Sequence, residues 1–305
     1  GDTSLWPHLF STVLPRYTYN TFILMLGVGI LSLIFGISTA WIVTRYDFVG
    51  KNIFEWALLL PAAVPAYVIA YTYTDLFEYA GPFQNLLRNF FNWDGPEDYW
   101  FPEVRSIGGA ILVMSSVLYP YVYLMTRASF IRMPISFYET GSIYDKNIFY
   151  SVALPLSRPA IIAGLSLVLM ETISDFGTVD YFAIETLTLG VFNVWLGMNS
   201  ISGAAQISSV LFFIVVLLLT LESSARKKIR YHEKSSGQNI ANQINVIGFY
   251  NLIFFLICFI PIFLGFIIPT SVLLSFVFKG LAILEINKII PSMITSLTIA
   301  VVASA

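Results

Sequence analysis

The feature that most constrains this chain is its series of apolar runs. Thr21 to Thr44 gives 24 consecutive residues without a charged side chain. A helix needs about 20 mostly apolar residues to cross the hydrocarbon core of a bilayer. Ile53–Tyr73, Ile107–Thr126, Ala160–Ile173, Ile207–Leu221 and Val246–Ile268 follow as further candidate spans, and Met293–Ala305 starts another. Spanning segments must satisfy their own backbone polar groups, so the expected fold class is all-α, a polytopic transmembrane helical bundle. Composition points the same way: 11% of the 305 residues are charged, against about 25% in a soluble domain. That excludes a water-soluble globule and a disordered chain. A net charge of −2 argues against a nucleic-acid partner. Cys258 is the single cysteine, so neither an internal disulfide nor a cysteine metal cluster is possible.

Lys and Arg positions set the direction of a membrane protein. With the first residues outside, the inside segments are 45–53, 127–158 and 222–245. They hold eleven of the sixteen Lys and Arg, among them Arg45, Lys51, Arg127 and Arg158. The stretch from Asn92 to Glu103 then lies outside, acidic through Asp94, Glu97, Asp98 and Glu103 and rich in Trp and Pro. Gly1 begins in an outside segment and Ala305 falls inside an apolar run, which is the pattern expected of a fragment whose first helix precedes Gly1. The polar, basic stretch Ser223–Asn245 reads as a linker. The domain plan is therefore a first membrane half over 1–222, a linker over 223–245, and the start of a second half over 246–305. Asn20-Thr21-Phe22 and Thr295-Ser296-Leu297 occupy equivalent places in the two.

Soluble-enzyme constellations are absent. His8 and His232, the two histidines, fall on opposite sides of the membrane and cannot share a metal. No Gly-x-x-x-x-Gly-Lys-Ser/Thr occurs, so ATP is not bound through a P-loop here. Gly27-Val28-Gly29 lies within a span and fits close helix packing.

The inside segment 127–158 is too patterned for a plain connector. Ser136 followed by Glu139 forms a capping box that predicts a short helix, and Asp145-Lys146-Asn147 predicts a turn. A second short helix is expected from Ile148 to Leu154, with Pro155 and Pro159 opening the next span. Both short helices would lie across the inner face.

Phe149-Tyr150-Ser151-Val152-Ala153-Leu154-Pro155-Leu156-Ser157-Arg158-Pro159-Ala160-Ile161 resembles the second half of the EAA loop of binding-protein-dependent ABC importer permeases. Glu139 stands for the motif's Glu, with Thr140-Gly141 in place of its two alanines. The resemblance implies the type I (MetI-like) permease fold and a coupling loop that docks on an ABC ATPase dimer. Glu139, Ile148, Phe149, Val152, Leu154, Pro155, Arg158 and Pro159 would carry that coupling. Glu139 has a second reading as a plain helix cap. Also implied are a periplasmic substrate-binding protein as partner, a bacterial inner-membrane location, no cofactor bound by this chain, ATP held by the partner subunit, and no enzymatic activity of its own. Asp175–Phe182, Thr188–Met198, Arg45–Gly50 and Leu60–Tyr67 are similar to the iron(III) branch of these permeases, which are fused pairs of halves. Iron(III) is therefore the expected cargo. Sulfate, thiamine, a polyamine or a phosphonate are alternatives within the class, and a secondary carrier is the alternative outside it.

Asp75, Glu78, Glu171, Asp175, Asp180 and Glu185 fall near the predicted outer ends of spans, with Tyr67, Tyr71 and Tyr73 leading to Asp75. Ionisable groups at membrane depth face a pathway or each other, and hard oxygen ligands suit hard cations. Tyr71, Asp75, Glu171 and Asp175 are the candidate path residues, with no metal site assigned. Marking the ends of spans is the competing role for these acids, and capping a turn at Phe176-Gly177 that for Asp175.

Overall fold

The computed structural model describes residues 13–134, 147–227, 243–280 and 286–304. Two compact units are present, Gly1–Pro269 and Thr270–Ala305. In the first, α1 (Leu14–Arg45), α5 (Ile107–Ile131) and α6 (Leu154–Ser174) are long helices packed on one another. Between α1 and α5 come a two-residue strand β1 (Tyr46–Asp47), α2 (Lys51–Ala57), a 3-10 turn Leu60–Ala63, α3 (Ala66–Phe77) and α4 (Pro82–Phe91). After α6 come α7 (Gly177–Tyr181), α8 (Leu187–Phe192), a π turn Asn193–Gly197 and α9 (Ile201–Lys227). Strand β2 (Ile244–Asn245) precedes α10 (Phe249–Ile262), a π turn Phe263–Ile267 and α11 (Ile268–Gly280). In the second unit α12 runs over Ile286–Ser304, beginning seven residues before the expected Met293.

Among the described residues, five helical runs are long and apolar enough to cross a membrane: Leu14–Arg45, Ile107–Ile131, Phe149–Ser174, Ile201–Thr220 and Phe249–Gly280. They correspond to five of the six complete runs expected from sequence. The chain is therefore a multi-pass all-α membrane protein.

The sixth, Ile53–Tyr73, is not one helix. It breaks between Ala63 and Ala66, and the two limbs meet at 90°. Pro61 and Pro65 supply no amide hydrogen, and a residue before proline is pushed from the helical region. Val64 accordingly is extended, at φ −105° and ψ 122°. Such a break exposes carbonyls, and two phenols take them up, while a third serves a π turn elsewhere. Tyr119, buried on α5, donates to the Leu58 carbonyl at 2.8 Å, and Tyr123, one turn on, donates to that of Glu55 at 2.9 Å. Tyr73 donates to the Leu264 carbonyl at 2.9 Å. That carbonyl is released because the Ile268 amide bonds Phe263 across the π turn.

The long helices cross closely. A methyl group added at Gly164 of α6 would lie 2.8 Å from the Cα of Val122, and one at Gly36 of α1 would lie 2.6 Å from its Cβ. Two helices, α1 and α6, therefore converge on one residue of α5, Val122. Gly27 and Gly29 also face neighbouring helices, Gly27 meeting Ile111 and Gly29 meeting Leu165 and Leu169, as the close-packing reading expected. One core cluster gathers Leu24, Val28, Ile69, Val113, Met114 and Val168. A second, toward the basic end, gathers Val43, Phe54, Leu58, Tyr119, Tyr123, Phe130 and Cys258.

Candidate functional site

At the basic end a charged chain links three elements. Glu55 of α2 meets Arg127 of α5 at 3.1 Å and Lys51 at 3.4 Å, and Lys51 donates to Gln243 at 2.6 Å. β1 and β2 pair in parallel, Tyr46 with Ile244 and Asp47 with Asn245. The end of the predicted linker is thereby fastened to the turn after α1. Phe254 of α10 packs on Tyr46 at 4.6 Å, and Phe255 on Phe54 at 5.2 Å.

The segment Ile148–Leu154 begins at this end. Asn147 caps it: its side-chain oxygen accepts from the Phe149 amide at 3.1 Å and its carbonyl from the Ser151 amide at 2.9 Å. Phe149–Ala153 form a π turn that runs directly into α6. This corrects the expected separate short helix lying across the face. The Leu154 amide bonds the Phe149 carbonyl five residues back. Pro155, which has no amide to place, can then follow without breaking the helix. Pro155 and Pro159 both lie inside the continuous helix rather than at a joint.

Phe149 is half-buried, its ring 5.1 Å from that of Trp41, while its neighbour Tyr150 is 65% exposed. Ile148 and Val152 pack on the same core cluster. Leu154 is half-buried and Arg158 exposed. Ser157, between α6 and α5, accepts from Ser129 at 3.0 Å. An open pocket of about 370 Å³ lies beside Phe149, lined by Trp41, Arg45, Tyr46, Asn147, Ile148 and Ile244. Glu139 and the capping box at Ser136 lie outside the described residues.

At the opposite end the acids separate by role. Glu185 pairs with Arg16 at 2.6 Å, and Glu78 with Arg105 at 2.8 Å. The Asp175 carboxylate accepts from the Thr178 amide at 2.8 Å and its hydroxyl at 3.1 Å, so it caps α7. Asp98 accepts from the amides of Asp94 and Gly95 at 2.8 and 2.9 Å, and these bonds hold its carboxyl below the usual carboxylate range. Asp75, Glu171 and Asp180 are exposed and carry no ion pair among the described residues. Among those residues no three of His, Cys, Asp and Glu come together to hold a metal ion.

Tyr67, Tyr71 and Asp75 recur every fourth residue on α3 and form one exposed stripe. Tyr71 packs on Tyr181 of α7 at 6.2 Å, and Tyr67 lies against Gly177. The stripe continues into Ala62, Ala63 and Pro65 at the break, all exposed. Glu171 is not part of it: it stands on the exposed side of α6, and the Asp175 amide bonds its carbonyl at 3.0 Å. The sequence reading missed Tyr119 and Tyr123 as holders of carbonyls, and it set Tyr73 on the run toward Asp75 rather than against Leu264. Two signals pointed to the first pair: prolines four apart in one apolar run, and tyrosines four apart in another.

This architecture is the permease fold of ABC importers. Two solved structures share it: a bacterial alginate ABC transporter in complex with an alginate pentasaccharide-bound periplasmic protein, and a bacterial ABC transporter involved in import of the acidic polysaccharide alginate. The first aligns with a TM-score of 0.54 at 15% identity over 75% of this chain and 82% of that one. The second gives 0.52 at 17% identity over 76% and 84%. By sequence the chain is similar to the Fe(3+)-transport system permease FbpB 2 of Haemophilus influenzae, 26% identical over 83% of this chain and 48% of the relative. The chain thus spans about half the length of that protein. It is also 28% identical to the sulfate transport system permease CysT of Salmonella typhimurium over 65% of this chain and 73% of the relative. The molybdenum transport system permease ModB of Haemophilus influenzae is 26% identical over 69% and 92%. No family model matches the chain.

Proposed function

We propose that the chain is a membrane permease subunit of an ATP-driven ABC importer in a bacterial inner membrane, carrying iron(III) delivered by a periplasmic binding protein. The observation that carries the reading is the exposed stripe of Tyr67, Tyr71 and Asp75 on α3, one limb of a broken span. Non-helical backbone at membrane depth is tolerated where protein buries it or where it lines a water-filled cavity. An exposed break therefore marks the wall of an aqueous path or of a seam with a second half. The stripe offers phenol and carboxylate oxygens and no Lys or Arg, which suits a hard trivalent cation. An oxyanion such as sulfate or molybdate calls for the opposite charge. The named cargo of the iron relative agrees with this choice. Glu171 extends the path from α6.

ATP hydrolysis belongs to a separate ATPase dimer that docks at the basic end, on Glu139 and the start of α6. Phe149, wedged on Trp41, passes movement of that segment to α1, and the chain itself binds no cofactor. The test is uptake by cells carrying the whole transporter. Tyr71→Phe with Asp75→Asn is expected to lower initial radioiron uptake by about tenfold, with the ATPase still bound. Phe149→Ala is expected to reduce co-purified ATPase with the exposed path unchanged. Chain-dependent sulfate or molybdate uptake, with iron uptake unaffected by loss of the chain, would overturn the cargo assignment.

A further inference from the structure

Helix α4 is inside out. Its polar residues fall on one side and its apolar residues on the other, as in any amphipathic helix. Here Gln84 and Arg88 of the polar side are turned to the protein, while Asn85 and Asn89 stay exposed beside them. Gln84 is 6% exposed; its amide donates to the Phe77 carbonyl at 2.7 Å, and its carbonyl accepts from Tyr99 at 2.6 Å. Arg88 donates to the Tyr99 hydroxyl at 2.9 Å and to the Tyr79 carbonyl at 2.8 Å. Asn85 donates to the Ala80 carbonyl at 2.9 Å. The apolar side points away: Leu86 is 63% exposed and Phe90 74%, with Trp100 beyond them at 85%.

A helix arranged this way is unstable against water and stable against an apolar medium. We infer that α4 is an interfacial anchor, lying in the bilayer surface opposite the basic end with Leu86 and Phe90 in the acyl boundary. Three observations select lipid as the occupant. First, a four-residue turn joins α4 to α3, the far limb of a span, so it sits where the chain leaves the hydrocarbon. Second, the aromatic residues Trp93, Tyr99 and Trp100 flank it, with Trp93 stacked on Tyr99 at 4.7 Å, matching the aromatic belt of membrane interfaces. Third, α4 contains no acidic residue, and Asp94, Glu97 and Asp98 all lie beyond its end. The anchor fixes the height of α3, and with it the tyrosine stripe. It rests on the chain's crossing the membrane and not on which solute the path carries.

Spin labels test it on the full chain in vesicles of phosphatidylethanolamine and phosphatidylglycerol. Leu86→Cys and Phe90→Cys replace exposed residues, Asn89→Cys is the polar-side control, and the buried native Cys258 leaves the parent chain as the blank. Molecular oxygen concentrates in lipid, and a nickel chelate stays in water. Collision with oxygen should exceed collision with the chelate by about threefold or more at 86 and 90, and the order should reverse at 89. Chelate-dominated collision at all three positions would place the helix in water and overturn the inference. Exclusion of both probes at 86 and 90 would mean that a protein covers the face, which overturns it equally.

Discussion

Two neighbouring segments of this chain contain proline in an apolar run, and they behave oppositely. Helix α5 carries Pro120 and continues for 25 residues. The α2–α3 segment carries Pro61 and Pro65 and bends by 90°. One missing amide costs one hydrogen bond and is tolerated where neighbours repack around it. Two missing amides four residues apart remove successive turns, and Val64 between them is driven extended. The surroundings differ too. Helix α5 is enclosed, with Met114 to Pro120 buried without interruption. The break is enclosed on one side, where phenols of α5 hold its carbonyls, and open on the other, where Ala62, Ala63 and Pro65 are exposed. The intact helix is thus the brace of the broken one.

The strongest way to break this comparison is to push α5 away. Gly164→Val places side-chain carbon against the backbone of Tyr121 and Val122, which cannot withdraw. The cost should be about 3 kcal/mol or more, seen as loss of the monodisperse, folded species in detergent. Removing the brace while leaving the packing is next. Tyr119→Phe with Tyr123→Phe leaves two carbonyls without donors, at about 1–3 kcal/mol each, and should lower the unfolding midpoint clearly. An unchanged midpoint would mean that the phenols are spectators of the bend. The smallest effect sharpens the reading. Pro61→Ala with Pro65→Ala returns the two amides, yet the phenols keep the Glu55 and Leu58 carbonyls, so stability should shift by less than about 1 kcal/mol. A gain well beyond that would show that the prolines hold the segment against a straight helix it prefers.

Much of this was legible from residues alone. The lengths of the apolar runs gave the spans, because a helix must carry its own hydrogen bonds through hydrocarbon. Segments that Lys and Arg placed together also touch: Glu55 meets Arg127 and Gln243 meets Lys51 at one end, while Arg16 meets Glu185 at the other. The block from Phe149 to Ile161 carried the permease likeness. The sequence left open whether Asp175 lines a path or caps a turn; its carboxylate accepts from the amide of Thr178.

Run lengths and charge set the inventory of this protein: an all-helical membrane chain with a basic end. Tertiary structure decided where helices bend and which side chains remain open. Pro61, Pro120 and Pro155 look alike in the sequence, yet one borders a break, one sits in an unbroken span, and one follows a π turn into a continuous helix. The physical reason is that a lost backbone bond is local, while the groups that replace it come from distant helices. Tyr119 stands 61 residues from Leu58, and Tyr73 stands 191 from Leu264. The same holds for α4, whose outward face is set by Tyr99 and the Phe77 carbonyl, which claim Gln84.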